Sequence, residues 1–287
     1  MDVLCDMVVV TYNRVDMTTE FVKSLIEHTP LPVRVIFIDN NSSDGTRDYI
    51  SSLQDTSFVK FQIVLNNENL GFIKGVNQGF KLADSSYVCV ANNDLLFSPG
   101  WLEEIIEIFK SRPDVGLLNP NSNNRGALPK QDEPIEDFAR RLKQQWAGVF
   151  VESNFCIGFC MVIRGDVIKK VGGFSEEFMP MFFEDTDYSM RVARAGYRLG
   201  VAKGAYVWHH EHASLGQLGA QKEKVFAQSR KRFEQKWGRI LWLAWVVENP
   251  DELKDNLKEA INLSRGGNHL WFYVRGFNKT IDEKEKI

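Results

Sequence analysis

Met7-Val8-Val9-Val10-Thr11-Tyr12-Asn13-Arg14 is the stretch on which the fold turns. An unbroken apolar run that stops at Thr and Asn predicts a strand buried on both faces, as in a parallel sheet. The pattern returns at Val33-Arg34-Val35-Ile36-Phe37-Ile38 before Asp39-Asn40-Asn41-Ser42 and at Phe61-Gln62-Ile63-Val64-Leu65 before Asn66-Asn67. It returns again at Tyr87-Val88-Cys89-Val90-Ala91 before Asn92-Asn93-Asp94. Between these runs, apolar residues recur at helical spacing. Phe21, Leu25 and Ile26 follow a cap expected at Asp16; Tyr49, Ile50 and Leu53 follow Ser43-Asp44-Gly45-Thr46. Residues 74–83 read as a third helix, and Ser98-Pro99 offers an N-cap and first-turn proline ahead of Trp101, Leu102 and Ile105. Strands alternating with helices predict an α/β fold, with a mostly parallel sheet and helices on both faces.

Farther along, residues 119–146 lose periodicity among Asn, Pro, Gly and charged side chains and read as a long loop. Strand character returns over 155–163, a helix over 184–195, a last strand over 206–208, and one or two amphipathic helices over 222–247. The expected organisation is an α/β domain over residues 1–214 and a C-terminal helical extension over 215–287.

The composition excludes several classes. In 287 residues, 35 Lys+Arg face 38 Asp+Glu, for a net charge of -3, which suggests no nucleic-acid partner. Hydrophobic content of 44% is that of a globular chain. The apolar run over residues 240–247 is far shorter than the ~20 residues a membrane span needs. Four cysteines without a Cys-x-x-Cys pair, and an acidic start (Met1-Asp2-Val3-Leu4-Cys5-Asp6) unlike a signal peptide, point to a cytoplasmic protein with free thiols.

In an open parallel sheet, ligands bind outside the carboxyl ends of the strands. Four strands delivering Thr, Asn and Asp to one edge point to a polar ligand, although each residue alone could be a strand-ending turn. Neither Gly-x-Gly-x-x-Gly after the first strand nor a P-loop is present. The segment Asn69-Leu70-Gly71-Phe72-Ile73-Lys74-Gly75-Val76-Asn77-Gln78-Gly79 could bring backbone N–H groups and Lys74 to a diphosphate, or its glycines could serve helix packing.

Val10-Thr11-Tyr12-Asn13-Arg14, residues 38–45, the Asn69–Gly79 segment, Asn92-Asn93-Asp94, Gly172-Gly173-Phe174, Phe182-Phe183-Glu184-Asp185-Thr186-Asp187-Tyr188 and Trp208-His209, in that order, resemble family 2 glycosyltransferases of the GT-A fold. The rhamnosyltransferase-like branch is the most similar. The resemblance implies an inverting, metal-dependent enzyme that moves one sugar from a nucleotide-diphosphate sugar (UDP- or dTDP-linked) to the hydroxyl of a glycan, lipid-linked or protein acceptor. It implies a donor site of Thr11, Tyr12, Asn13, Arg14, Asp39, Asn66, Gly71, Lys74, Asn77, Asn92, Asn93 and Asp94. Asp185 would be the catalytic base, and Gly158, Glu184, Asp187 and Trp208 would lie toward the sugar or acceptor. Asp94 and His209 would hold Mg²⁺ or Mn²⁺. Asn92-Asn93-Asp94 keeps only the last carboxylate of the family's Asp-x-Asp motif, so an inactive carbohydrate-binding relative is the alternative. A sugar-phosphate nucleotidyltransferase would need a Gly-rich basic loop after the first strand, and Thr11-Tyr12-Asn13-Arg14 does not supply it.

From the residues themselves, the acids opening the 184–195 helix could also be favoured there by the helix dipole, and a His after a strand is commonly structural. His210 and His212 could share the metal role with His209. Over residues 222–239, seven basic residues against two acidic ones run beside Phe226, Phe233 and Trp237. Such a helix could touch an anionic membrane at the inner face of the cell, or pack on the sheet domain or on a second subunit as a homodimer.

Overall fold

The computed structural model describes residues 2–210, 221–265 and 267–275. It divides into two compact units, Met1–Trp237 and Gly238–Ile287. The first unit therefore runs past the expected boundary at residue 214, because the helix after that point packs on it.

In the first unit the strands are β1 (Cys5–Thr11), β2 (Val33–Asp39), β3 (Val59–Leu65), β4 (Tyr87–Ala91), β5 (Leu95–Phe97), β6 (Val115–Asn121), β7 (Phe150–Glu152), β8 (Cys160–Arg164) and β9 (Arg198–His209). The helices are α1 (Val15–His28), α2 (Thr46–Ser52), α3 (Gly71–Leu82), α4 (Trp101–Ser111), α5 (Ile135–Trp146), α6 (Gly165–Val171), α7 (Glu184–Arg194) and α8 (Lys222–Trp237). One sheet of nine strands runs β3-β2-β1-β4-β8-β6-β9-β5, with β7 also on β9. β3, β2, β1 and β4 are parallel, as expected. The second half is mixed: β8 runs antiparallel to β4 and β6, while β6 and β9 are parallel. Chain order reverses between β1 and β4, so the crevice at their carboxyl ends is the natural ligand site. Thr11 pairs with Asp39, which pairs with Leu65, and Val9 pairs with Ala91, so their polar successors stand level on one edge. Because β8 is reversed, it starts at that same edge, where Cys160 pairs with Ala91.

The core follows from period-2 strands between helices. Met7, Val9, Val35, Phe37 and Cys89 face Phe21 and Leu25 of α1 and Trp101, Leu102 and Ile105 of α4. On the other face α3 lies so close that a Cβ on Gly75 or Gly79 would stand 2.8 Å and 2.2 Å from the Val10 and Val8 side chains. Those two glycines serve helix–sheet packing.

Several local expectations are corrected. The cap of α1 is Arg14, in the left-handed conformation, and Asp16 binds Arg14 from the first turn. Gly100 (φ +80°) precedes α4, while Ser98 Oγ donates to the Tyr206 carbonyl. The 119–146 segment is no loop: it holds the end of β6, a 3-10 turn at Asn123–Arg125 and α5, whose Phe138, Ala139 and Leu142 pack on Tyr206. β8 begins only at Cys160, and β9 is far longer than residues 206–208.

The second unit is not helical throughout. β10 (Trp242–Val247) and β11 (His269–Val274) form a parallel pair, joined by α9 (Pro250–Arg265). The apolar run expected to continue a helix is therefore a strand. Among the described residues, no helix is long and apolar enough to cross a membrane.

Candidate active site

Three stretches meet at the carboxyl edge of the sheet. The first is the tip of β1 and β2. Asp39 is fully buried and accepts hydrogen bonds from Thr11 Oγ1 (3.0 Å), from the Ser42 N–H (3.0 Å) and from Ser42 Oγ, with Arg47 Nε at 3.6 Å. Ser42 Oγ in turn accepts the Asn13 N–H at 2.7 Å, and Asn13 Oδ1 accepts the Ser43 N–H at 2.8 Å. Asn13, Arg14 and Asn41 all adopt positive φ (61°, 68° and 65°), so the turns are wound tightly around this carboxylate. Asp39 is thus a lock between two strand tips. Tyr12 is exposed beside it.

The remaining residues expected around a donor are partly committed elsewhere. Asn66 exchanges amide hydrogen bonds with Gln78 and donates to Asn40. The Gly71 N–H donates to Asn69 Oδ1, and Gly71 (φ +80°) opens α3, on which Lys74 is half-buried. Asn77 is turned away: it bonds both the N–H and the carbonyl of Phe174, and this corrects its expected donor role.

The second stretch joins β4 to β9. Asp94 is 4% exposed, and its Oδ1 accepts no hydrogen bond, yet it lies 3.2 Å from His209 Nε2. Asn92 Nδ2 stands 3.3 Å from that ring nitrogen and Asn124 Nδ2 stands 3.1 Å from Nδ1, while the ring stacks on Phe159. Asn123 fixes the backbone by bonding both the N–H and the carbonyl of His209. Asn93 donates to Thr18 on α1. The His210 ring faces Glu20 at 3.6 Å while its backbone N–H donates to the Asp94 carbonyl at 3.0 Å, and His212 lies outside the described residues. Among the described residues, no three His, Cys, Asp or Glu side chains converge on one point that could hold a metal. An orphaned carboxylate oxygen beside an imidazole nitrogen nevertheless suits Mg²⁺ or Mn²⁺, which take few protein ligands when diphosphate oxygens complete the shell.

The third stretch is the start of α7. Phe182 and Phe183 are both left-handed (φ 73° and 69°) and lead into α7, whose Asp185 meets the Gly158 N–H. α8 braces this strained turn. Phe226 packs on both phenyl rings, Phe233 packs on Phe183, and Ser229 Oγ and Arg232 donate to the carbonyls of Met181 and Met179. The apolar side of α8 thus packs in part on this turn, with Phe233 buried and Phe226 44% exposed.

Asp185 Oδ2 accepts the Gly158 N–H at 2.9 Å, and Oδ1 accepts the N–H (2.7 Å) and hydroxyl (3.2 Å) of Thr186. A Cβ at position 158 would stand 3.6 Å from this carboxylate, an ordinary van der Waals contact, so Gly158 meets Asp185 through its backbone N–H. Burial raises the Asp185 pKa above the ordinary aspartate range. Burial, with the neighbouring charge of Asp185, pushes Glu184 up to about 8. Glu184 Oε2 is buried without a hydrogen-bond partner, whereas Asp185 receives three donors, so Glu184 is the neutral member and Asp185 the anion.

Two expected members do not join the site. Asp187 is two residues beyond Asp185, about 200° around the helix. It is fully buried against Arg191 (2.8 Å), Lys236 (2.8 Å) and the Trp237 N–H (2.9 Å). Trp208 packs into the satellite cluster of α5 and Tyr206. Conversely, sequence reasoning missed Asn119, Asn123 and Asn124. Asn119 is buried and bonds Ile157 and Cys160, pinning the loop that carries Gly158. The density of Asn over residues 119–124 was the available signal.

The family model for "Glycosyl transferase family 2" matches residues 6–172, more than half of the chain. The chain belongs to glycosyl transferase family 2. An N-acetylglucosaminyl-diphospho-decaprenol L-rhamnosyltransferase of Mycobacterium tuberculosis is 24% identical over 94% of this glycosyltransferase and 97% of its own length. A galactofuranosyl glycosyltransferase of Leishmania donovani is 23% identical over 79% of this chain and 62% of its own. Among solved structures, the mannosyltransferase PcManGT of Pyrobaculum calidifontis, in complex with GDP-Man and Mn²⁺, superposes with a TM-score of 0.61 at 17% identity. That match covers 90% of this chain and 69% of the mannosyltransferase. TarS of Staphylococcus aureus with UDP-GlcNAc superposes at 0.54 and 15% identity, over 81% of this chain and 73% of its own. The fold is GT-A.

Proposed function

We propose that this glycosyltransferase moves a single sugar, with inversion, from a UDP- or dTDP-linked donor to a hydroxyl of a lipid-linked or polysaccharide acceptor, from the cytoplasmic side. The observation that carries the reading is a division of labour at one sheet edge. An orphaned buried Asp94 oxygen faces His209 at 3.2 Å, while Asp185 is held ionised by N–H and hydroxyl donors alone.

Asp185 Oδ2 keeps a lone pair beyond the one bonded to Gly158, and it takes the proton of the acceptor hydroxyl. The acceptor oxygen then bonds to the anomeric carbon as the bond from that carbon to the diphosphate breaks. The bonding pair leaves with the nucleoside diphosphate, and the sugar inverts. Asp94 and His209 would hold Mg²⁺ or Mn²⁺, whose charge would offset that of the diphosphate. Asn92, Asn123 and Asn124 orient the His209 ring. Tyr12 and the Asn13–Arg14 turn, secured by Asp39, flank the base side of the donor, and Glu184 stays protonated beside the base. The relative acting on a decaprenyl diphosphate sugar supports a lipid-linked acceptor.

The test is a calorimetric panel of UDP- and dTDP-sugars with Mn²⁺, Mg²⁺ or EDTA, with slow donor hydrolysis read in parallel. Metal-dependent binding of one nucleotide class with hydrolysis supports the reading. Binding without hydrolysis, or no binding with any metal, refutes it.

A further inference from the structure

On the side of α7 turned away from Asp185, the helices α6, α7 and α8 enclose a cleft of about 360 Å³ whose walls include Lys170, Arg191, Arg194, Lys236 and Trp237. Four of these side chains are cations. Asp187 lies buried against the cleft and receives Arg191, Lys236 and the Trp237 N–H, while Glu177, about half exposed, stands 3.4 Å from Lys236. Arg191 also donates to the carbonyls of Val171 and Gly173, and Lys170 donates to the Ala195 carbonyl at 2.7 Å. These carbonyls belong to the C-terminal ends of α6 and α7, whose dipoles each place roughly half a negative charge at the cleft and offset part of its positive charge. Arg194 lies over the Trp237 ring at 4.3 Å and has no carboxylate partner among the described residues. Four cations against two carboxylates leave a formal surplus of two positive charges, reduced but not cancelled by the helix ends, in one concavity beside an indole.

The geometry points to this cleft as a binding site for a phosphoryl group, a phosphomonoester or diphosphate, received by Arg194 and Lys170 with Trp237 as the wall for whatever the phosphate is attached to. Guanidinium and ammonium groups with unused donors are the side chains that recognise phosphate. An anion here would bridge α6, α7 and α8, the last being the helix that braces Phe182 and Phe183. The site is separate from the donor site, since none of its residues touches Asp94, His209 or Asp185.

Two sources share this chemistry: a free phosphorylated molecule and the headgroup of a membrane lipid. The full chain is titrated with pyrophosphate in EDTA, which silences metal-dependent binding at Asp94 and His209. Arg194→Ala/Lys170→Ala should weaken that binding roughly ten- to a hundredfold, the scale for hydrogen bonds to charged groups. Both side chains are exposed, so the melting temperature and the metal-dependent nucleotide affinity should stay at wild-type values. Arg194→Glu, which reverses the unpaired charge, should abolish binding. In a second arm, vesicles containing phosphatidic acid are compared with purely zwitterionic ones. Retention on the acidic vesicles that the double variant loses identifies a lipid headgroup, and pyrophosphate binding alone identifies a free ligand. Absence of metal-independent binding of both probes, or binding that the variants leave unchanged, overturns the proposal.

Discussion

Asp185 and Asp187 lie two residues apart on α7 and face opposite sides of it. Asp187 is met by two cations and an indole N–H, whereas Asp185 is met by two backbone N–H groups and a hydroxyl, with no cation within ion-pair distance among the described residues. A carboxylate met by full counter-charges is held in place as an ion-pair partner. One given only dipoles, in a buried place, stays ionised but holds a proton more readily than a free aspartate does. The same residue type in one helical turn thus meets counter-charges on one face and only dipoles on the other, as the proposed base requires, and the choice is made by distant segments: Gly158 on one side, α8 on the other.

The sharpest way to break this comparison is to neutralise each acid in turn. Asp185→Asn should lower transfer by roughly 10²- to 10⁴-fold, the scale of general-base catalysis, with metal-dependent nucleotide affinity unchanged. Turnover near wild type would place the base elsewhere. Asp187→Asn should instead cost stability, because it strands Arg191 and Lys236. Removing one partner of a buried pair costs ~3–5 kcal/mol, and the two cations are partly exposed (21% and 30%), so about 3 kcal/mol is expected in urea unfolding. Donor hydrolysis per folded molecule should survive. A loss of stability under about 1 kcal/mol would remove Asp187 from its structural role.

Asp94 and His209, the proposed metal ligands, give the next contrast. Asp94→Ala and His209→Ala should each reduce the Mn²⁺-dependent component of nucleotide binding, by roughly ten- to a hundredfold if each supplies a ligand. His210→Ala should leave it alone, because its ring faces Glu20. Equal effects of His209→Ala and His210→Ala in calorimetry would contradict the pairing.

The comparison also explains what could be read from the chain. The polar edge is legible in the sequence because each polar tip directly follows its own buried strand, so Thr11, Asp39 and Asn92 need only the parallel order to be brought level. Asp187 reads in the sequence as part of one acidic cluster with Asp185, although helical geometry alone sets positions 185 and 187 on opposite faces. The supports were less legible, since Asn119 and Asn123 look like turn residues until β6 and β9 bring them to Cys160 and His209. The Phe182–Phe183 brace comes from α8 through contacts tens of residues away in sequence. Residues 242–247 are a strand that the sequence does not separate from a helix, because a short continuous apolar run carries no period that tells the two apart.

Glu184 gives the finest contrast, since it differs from Asp185 by one position and by one protonation state. Its pKa is raised from the ordinary glutamate value of 4.5 to about 8 in the folded protein. The folded state therefore holds a proton that the unfolded chain has released throughout the window between those values. Stability from this group is fully present below about 4.5 and is lost as pH rises toward about 8, at ~1.4 kcal/mol per pH unit at most. Glu184→Gln copies the neutral form at every pH. Its stability relative to wild type should therefore be near zero at the acid end of the window, grow in favour of the variant as pH rises, and level off above about 8. Activity should shift in the same region: ionised Glu184 beside Asp185 raises the pKa of the base, so the variant's kcat profile should lose an inflection on the alkaline side while its acidic limb persists. Melting curves and single-turnover rates across pH 5–9 check both. A difference in stability that does not change with pH would mean that Glu184 is already ionised in the folded protein, and that Asp185 alone carries the proton chemistry of this face.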